Sequence, residues 1–161
     1  MRDNTITQMM VTAFFILVFS GCVPTEESDG NEYLVYIGTR YTPDSPGIYA
    51  CRFNDATGEL LPLGVVAETA NSDFLAVHPN GRFLYATGET VGTVAAFAID
   101  KSTGKLTFLN KIDTAGRNPT HLDIDHTGRA VIVANFSGGN TVLLPVNEDG
   151  RLGEISANLQ H

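Results

Sequence analysis

The chain has 161 residues, of which 10 are basic and 18 acidic, so its formal net charge is −8. This acidic balance, without any run of basic residues, excludes binding to the phosphate backbone of a nucleic acid, which requires a basic surface. Hydrophobic residues make up 43 % of the sequence, which is enough for a core and excludes intrinsic disorder. A chain of this length holds one domain at most.

The N-terminal segment predicts export. Residues 11–19 are almost entirely apolar, but the run is shorter than the roughly 20 residues that span a bilayer, so residues 1–21 are expected to be a signal peptide. Small residues precede Cys22, and this junction resembles a bacterial lipobox, in which the cysteine is acylated. We therefore expect an exported lipoprotein that is held to the membrane only by a lipid on Cys22, with residues 22–32 as a polar tether. An ordinary signal peptide and a chance cysteine are the alternatives.

The second cysteine, Cys51, has no expected partner if Cys22 is acylated. It alternates with Tyr49 and Phe53 along one apolar face of a predicted strand. A catalytic cysteine needs an accessible and electropositive setting, whereas this pattern indicates a buried structural thiol.

The folded part is built from a repeat of 46 or 47 residues. Turn glycines recur at Gly58, Gly104 and Gly150, each followed two residues later by leucine. A second marker, a Gly-Arg pair that leads into an apolar run, recurs at Gly81 and Gly128. Two independent markers at one period predict a repeat architecture.

Each repeat reads as four short strands separated by turns. In the best-defined repeat, strands are predicted at residues 74–78, 83–86, 92–99 and 106–109. Their Val, Ile, Phe and Tyr content favours β-structure, and the Asn-Gly and Thr-Gly turns favour tight reversals. Four strands in about 46 residues is the size of a propeller blade, so the fold class is predicted as all-β, a β-propeller.

The repeat stops before a propeller could close. Residues 33–161 hold about 2.8 blades, whereas propellers close with roughly four to eight. Residues 33–161 are therefore expected to be the N-terminal part of a longer propeller domain, with the remaining blades missing from this chain.

A set of motifs occurs in order along the folded part: Tyr36-Ile37-Gly38-Thr39, residues 47–49, 56–60, 74–85, Asn118-Pro119-Thr120-His121, residues 134–142 and Gln160-His161. Together these motifs resemble those of a known family, the seven-bladed propeller lactonases, which include the propeller type of 6-phosphogluconolactonase and the carboxymuconate-lactonizing enzymes. The resemblance covers residues 33–161 and implies a propeller of seven blades that acts on a small-molecule lactone, with no cofactor and no obligatory metal.

His121 is the first candidate for general acid–base catalysis. It lies at the start of an inner strand, where the preceding repeat has Phe74. A polar imidazole at a repeat position that is otherwise aromatic suggests a functional role for the side chain. Histidine exchanges protons near neutral pH more readily than other side chains. The resemblance implies that the histidine of this Pro-x-His pattern faces the channel. The alternative is a histidine that is packed between blades.

Four further residues are candidates for substrate binding. Arg117 precedes the Asn-Pro pair and could bind an anionic group through its planar guanidinium. Asn135 ends the second strand of its blade and could donate to a carbonyl oxygen. Glu89 lies at the equivalent end of the preceding blade, and His161 ends the Gln-His pair.

A metal site formed by His121, Asp123 and Asp125 is the less favoured alternative, although alternation would put all three on one face of a strand. Asp125 leads into a tight turn, where aspartate commonly bonds its own backbone. No metal ligands are therefore predicted.

The function predicted from these features is that of a lactonase that hydrolyses a sugar-acid lactone. Export argues for an unphosphorylated substrate, because sugar phosphates are cytoplasmic. Two rivals stay open: a lactonizing cycloisomerase of the same family, and a non-enzymatic, lipid-tethered propeller scaffold. An enzyme should bring several polar residues to the channel mouth, whereas a scaffold should fill the channel with apolar side chains.

Overall fold

The computed structural model describes residues 31–40, 46–69, 71–88 and 92–161. The predicted signal peptide, Cys22, Glu89 and all but two residues of the tether lie outside these ranges. Within them the secondary structure is entirely β, in eleven strands, and no helix is long and apolar enough to cross a membrane. In chain order the strands are β1 (Glu32–Ile37), β2 (Gly47–Asn54), β3 (Leu60–Glu68), β4 (Leu75–Val77), β5 (Phe83–Gly88), β6 (Thr93–Ile99), β7 (Leu106–Asp113), β8 (Pro119–Ile124), β9 (Ala130–Asn135), β10 (Asn140–Pro145) and β11 (Ala157–Gln160).

The strands form three antiparallel meanders, which confirms the predicted all-β propeller architecture. Sheet 1 has the order β1-β2-β3, sheet 2 the order β4-β5-β6-β7, and sheet 3 contains β8-β9-β10-β11. Tight turns of the predicted kind connect the first strand to the second and the third to the fourth: Gly81 N–H donates to the His78 carbonyl and Gly104 N–H to the Asp100 carbonyl. Strand β1 begins one residue before the predicted domain start. Each sheet is one blade, because neighbouring strands in sequence are neighbours in space.

Sheet 1 lacks an innermost strand among the described residues. Tyr36 of β1 pairs with Ala50, just as Tyr85 of β5 pairs with Ala96 at the same position of the repeat. Strand β1 therefore corresponds to β5, the second strand of its blade, and no described strand occupies the place of β4 beside it.

The blades stack face to face through two apolar layers. Between sheets 1 and 2 lie Ile48 and Leu84 with their neighbours, and between sheets 2 and 3 lie Tyr85, Leu122 and Val133. Alternation along each strand produces both layers, because Leu84 faces one neighbour and Tyr85 the other. Each fully buried aliphatic side chain contributes roughly 1.5–3 kcal/mol. Cys51 is a free cysteine and is buried, as predicted for a structural thiol.

A repeated turn joins the third and fourth strands of each blade. Asn54 accepts hydrogen bonds from the backbone N–H groups of Ala56 and Thr57 in sheet 1. In sheet 2 the equivalent residue is Asp100, whose carboxylate accepts from the Ser102 and Thr103 hydroxyls and from the Ser102 N–H, and these bonds lower its pKa to about 2. The folded protein therefore holds the charged form of Asp100 more firmly than the unfolded chain does.

We predict that Asp100 makes the protein sensitive to acid. An unfolded aspartate titrates near about 3.9, so the stabilisation is present above pH ~4 and is lost as the pH falls from about 4 to about 2. Asp100→Asn keeps the turn acceptor that Asn54 provides in sheet 1 but does not titrate. Urea unfolding at pH 4, 3 and 2 should show a smaller loss of stability in Asp100→Asn than in the wild type. Glu148→Gln, at an acidic side chain with no hydrogen bond in the described structure, is the control; equal losses in all three proteins would contradict the prediction.

The turn glycines provide a second test of the stacking. Gly58 and Gly150 occupy the same repeat position with φ of 73° and 84°, where an L side chain costs roughly 1–2 kcal/mol. A Cβ on Gly58 would meet nothing, whereas a Cβ on Gly150 would collide with the Phe83 ring of the preceding blade. We therefore expect Gly150→Ala to lower the free energy of unfolding by a further 1–3 kcal/mol or so compared with Gly58→Ala. Equal effects in chemical denaturation would show that blades 2 and 3 are not packed in this way.

Candidate functional site

A groove runs between the innermost strands of sheets 2 and 3. Strands β4 and β8 line it on opposite sides, and its volume is about 360 Å³. The lining is apolar along β4, while β8 contributes His121 and Asp123. This is the inner edge of the two complete blades, where a propeller has its channel.

His121 is exposed within this groove. Its ring lies against Phe74, with the ring centroids 4.1 Å apart and the planes tilted by 54°. The pairing of β8 with β9 shifts between Pro119 and His121, so Thr120 has no partner opposite it. A bulge of this kind re-aims the side chain that follows it, while Leu122 keeps its place in the core. The imidazole is therefore exposed in the groove and also contacts the neighbouring blade through Phe74, while its catalytic role stays a prediction.

Two loops meet at the end of the sheets where β8 begins. The first, residues 114–118, contains two left-handed residues, Ala115 and Asn118, with φ of 48° and 61°. The second, residues 136–139, donates hydrogen bonds from Phe136 N–H to the Asn118 carbonyl at 2.9 Å and from Gly138 N–H to the Arg117 carbonyl at 3.1 Å. These bonds hold the residues that precede His121 in one conformation.

Two buried residues, Thr114 and Asn135, hold the start of the first loop in place through hydrogen bonds. The Thr114 hydroxyl donates to Asn135 Oδ1 at 2.7 Å, and Asn135 Nδ2 donates back to the Thr114 carbonyl at 3.2 Å. Both residues are almost fully buried, with exposed fractions of 0 % and 2 %. Contact with a substrate carbonyl stays a prediction for Asn135, but its geometry favours a structural role.

A polar cleft of about 420 Å³ opens between the two loops. Its lining residues come from both loops and from the strands that flank them: Asp113, Ala115, Gly116, Arg117, Gly138, Asn140 and Gln160. Arg117 is exposed here and makes no side-chain ion pair or hydrogen bond within the described ranges. The predicted cation is therefore available to a ligand.

The remaining candidates are placed as follows. His161 follows β11, the outermost strand. Its ring Nε2 is 2.9 Å from the Thr141 hydroxyl oxygen, and its backbone N–H donates to the Gly139 carbonyl. Glu89 lies outside the described residues. The structure thus brings His121 and Arg117 to the end of the sheet where β8 begins, and gives His161 a place beside the second loop.

The geometry does not favour a metal at His121. The Asp123 carboxylate accepts the N–H of Ile124 at 2.8 Å. The Asp125 carboxylate is occupied by the Thr127 hydroxyl and by backbone N–H groups of its own turn, and these hydrogen bonds hold its pKa well below the usual range. Over the described ranges no three His, Cys, Asp or Glu side chains cluster as metal ligands would.

Three polar residues of the cleft, Asp113, Asn140 and Gln160, were not among the site residues predicted from the sequence. Asn140 begins β10 and is only 4 % exposed, and Gln160 Nε2 donates to the Gly138 and Gly139 carbonyls. The repeat offered one signal for Asn140, because the equivalent position in the preceding blade is Thr93. The sequence did not show which loops surround that position, so this difference could not be linked to a cleft.

Comparison with known proteins agrees with this architecture. Two curated relatives named 6-phosphogluconolactonase, from Formosa agariphila and Bacillus subtilis, are 36 % and 34 % identical to this chain, each over 75 % of its length. The matches cover only 36 % and 35 % of those relatives, so the chain spans about a third of their length. The solved structure of a periplasmic gluconolactonase from Pseudomonas aeruginosa superposes with a TM-score of 0.74 at 31 % identity, covering 81 % of this chain and 39 % of that one.

The family itself follows from the extent of the match. The model of the family described as "Lactonase, 7-bladed beta-propeller" matches residues 34–161, which include all the sheets described above except the first two residues of β1. The repeat, the four-stranded blades and this match agree, and the chain belongs to the seven-bladed β-propeller lactonase family.

Proposed function

We propose that the full-length protein is a lactonase that hydrolyses a sugar-acid lactone. The observation that carries this proposal is the position of His121, an exposed imidazole in the groove between the innermost strands of two blades. Membership of the lactonase family and the names of the relatives support the same reaction class. His121 and Asp123 line this groove, whereas a scaffold was expected to have only apolar side chains in its channel.

In the proposed reaction His121 is the general base. The imidazole takes a proton from a water molecule as the water oxygen forms a bond to the lactone carbonyl carbon. The carbonyl carbon then loses its bond to the ring oxygen, which receives the proton, and the open-chain hydroxy acid is released. Arg117, four residues earlier on the loop, would orient the substrate by donating to its oxygen atoms.

We further propose that additional blades complete the propeller. At the position where Tyr85 is fully buried against the next blade, sheet 3 has Ile132, which is 48 % exposed. Leu159 of the outer strand is also exposed, at 62 %. An apolar sheet face of this kind is normally covered, and a fourth blade would cover it in the way that sheet 3 covers sheet 2.

The location we propose is outside the cytoplasm, with the protein attached to a membrane through lipid on Cys22. The apolar run at residues 11–19 and the small residues before Cys22 support this proposal. An exported lactonase would meet unphosphorylated sugar lactones rather than sugar phosphates.

Removing the imidazole of His121 should abolish most of the activity without harming the fold. We expect His121→Gln to lower turnover of a sugar lactone by roughly 10²–10⁴-fold, the usual contribution of a general base. His126→Gln, at an exposed turn histidine of the same blade, is the matched control and should keep wild-type turnover. His121→Phe restores the residue of the preceding blade and should melt at the wild-type temperature or above it while remaining inactive. Full activity in His121→Phe would remove His121 from the reaction.

Lipidation of Cys22 can be tested directly. Mass spectrometry of the mature protein should find Cys22 as the N-terminal residue with acyl chains attached, and Cys22→Ser should release the protein from the membrane fraction. An unmodified N-terminus at another residue would contradict the lipoprotein proposal, while leaving the lactonase proposal intact.

A further inference from the structure

The polar cleft between the loops at residues 114–118 and 136–139 contains an acceptor that no group of the described structure satisfies. Asn140 Nδ2 donates to Asn158 Oδ1 at 2.9 Å and to the Ala115 carbonyl at 3.4 Å, so the orientation of the amide is fixed. Asn140 Oδ1 is buried and has no hydrogen-bond partner. Leaving a buried acceptor unpaired is unfavourable, which indicates that a donor belongs beside it.

Two glycines lie close against this atom. A Cβ on Gly116 would collide with Asn140 Oδ1 and with the Asn135 amide, and a Cβ on Gly138 would lie 2.6 Å from Asn140 Oδ1. The two glycines come from different loops, and hydrogen bonds fix those loops against each other. The cleft is therefore a shaped cavity in which any larger residue at either position would crowd Asn140.

The charges around the cleft favour a neutral ligand. Its charged side chains are Asp113 and Arg117, one of each sign. Asp113 Oδ1 accepts the Ala115 N–H at 2.7 Å, which leaves its second oxygen available. Arg117 offers donors, while Asn140 Oδ1 and the Asp113 carboxylate offer acceptors. Hydroxyl groups both donate and accept, so a molecule with several hydroxyl groups satisfies this set better than an anion or a cation does.

We infer that this cleft is a binding subsite for the hydroxyl groups of a neutral sugar lactone, with Asn140 Oδ1 accepting a hydrogen bond from one of them. The inference rests on the proposed lactonase function and names its substrate class as unphosphorylated and polyhydroxylated. Asn140 is a positioning residue for the hydroxylated part of the ring. The protein should therefore bind hydroxylated lactones more tightly than unhydroxylated ones, because a lactone without hydroxyl groups leaves the buried Asn140 oxygen unpaired.

The first experiment compares two lactones in the full-length protein. Glucono-1,5-lactone carries hydroxyl groups and δ-valerolactone carries none. Asn140→Thr installs the residue that sheet 2 has at this position, Thr93, and removes the buried oxygen. We expect it to raise KM for gluconolactone roughly three- to tenfold, the value of one neutral hydrogen bond, and to leave kcat and the KM for valerolactone unchanged.

Asn54→Thr is the matched control for this variant. It makes the same substitution in a turn of sheet 1 and does not touch the cleft lining, so it should leave both KM values unchanged. A wild-type KM for gluconolactone in Asn140→Thr would overturn the inference. Equal losses on both lactones, or the same loss in Asn54→Thr, would also overturn it, because these results mean that the substitution acts only through the stability of the fold.

A binding measurement separates this inference from the proposed reaction. Calorimetric titration with glucono-1,5-lactam, a neutral isostere with an amide in place of the ester, requires no turnover. If the protein hydrolyses no lactone, the lactonase proposal fails, yet weaker lactam binding in Asn140→Thr than in the wild type would still support the subsite. Equal lactam affinity in the two proteins would reject the subsite, whatever the activity.

A second variant keeps the test decisive if Asn140→Thr does not fold. Asp113→Asn retains the acceptor for the Ala115 N–H and leaves Arg117 as the charged side chain of the cleft. We expect it to raise the affinity for 6-phosphogluconolactam relative to the neutral lactam by roughly two- to fivefold. An unchanged ratio would mean that the charge balance of the cleft does not select the ligand.

Discussion

Contact between each blade and the turn of the next blade is the constraint on which the other features depend. The Tyr36 hydroxyl donates to the Gly104 carbonyl at 3.1 Å, and the Tyr85 hydroxyl donates to the Gly150 carbonyl at the same distance. Burial raises the pKa of both hydroxyls, so both remain protonated donors. Each bond joins the second strand of one sheet to the third turn of the following sheet. Two successive pairs of blades are thereby joined in the same way, by a tyrosine hydroxyl and a turn carbonyl.

A fixed stacking geometry leaves the inner edge free to vary. Phe74, directly before β4, and His121 on β8 occupy equivalent positions of the repeat, and their rings are in contact across the groove. One blade therefore supplies an apolar wall and the next supplies an imidazole, which follows the bulge between Pro119 and His121. The same substitution between repeats occurs at the first residue of the third strand, where Thr93 in sheet 2 becomes Asn140 in sheet 3. The candidate site residues in this fold thus differ from their equivalents in the preceding blade by single substitutions, while the repeat of strands and turns is retained.

The loops at the end where β8 begins show how a polar site is kept rigid without a helix or a disulfide. The Thr114–Asn135 pair lies beneath the loop at residues 114–118, and two backbone hydrogen bonds join this loop to the loop at residues 136–139. Left-handed conformations at Ala115 and Asn118 have an energetic cost, and the surrounding hydrogen bonds maintain them. Such rigidity is what a binding cleft needs, because a loop that is already ordered loses little entropy when a ligand arrives.

The repeat, the strands and the position of His121 on an inner strand could be predicted from the amino-acid sequence. These follow from local rules: alternation sets the two faces of a strand, and Asn-Gly, Thr-Gly and Asp-Gly pairs set the turns. The sequence also determined the family resemblance, since the motifs are contiguous. Three features became visible only in the folded structure: the Asn135 amide is bonded to Thr114, Asn140 Oδ1 has no partner, and glycines from two loops lie against that oxygen. The physical reason is that these contacts join loops more than 20 residues apart, and a side chain's remaining hydrogen-bonding capacity depends on every group that the fold brings beside it.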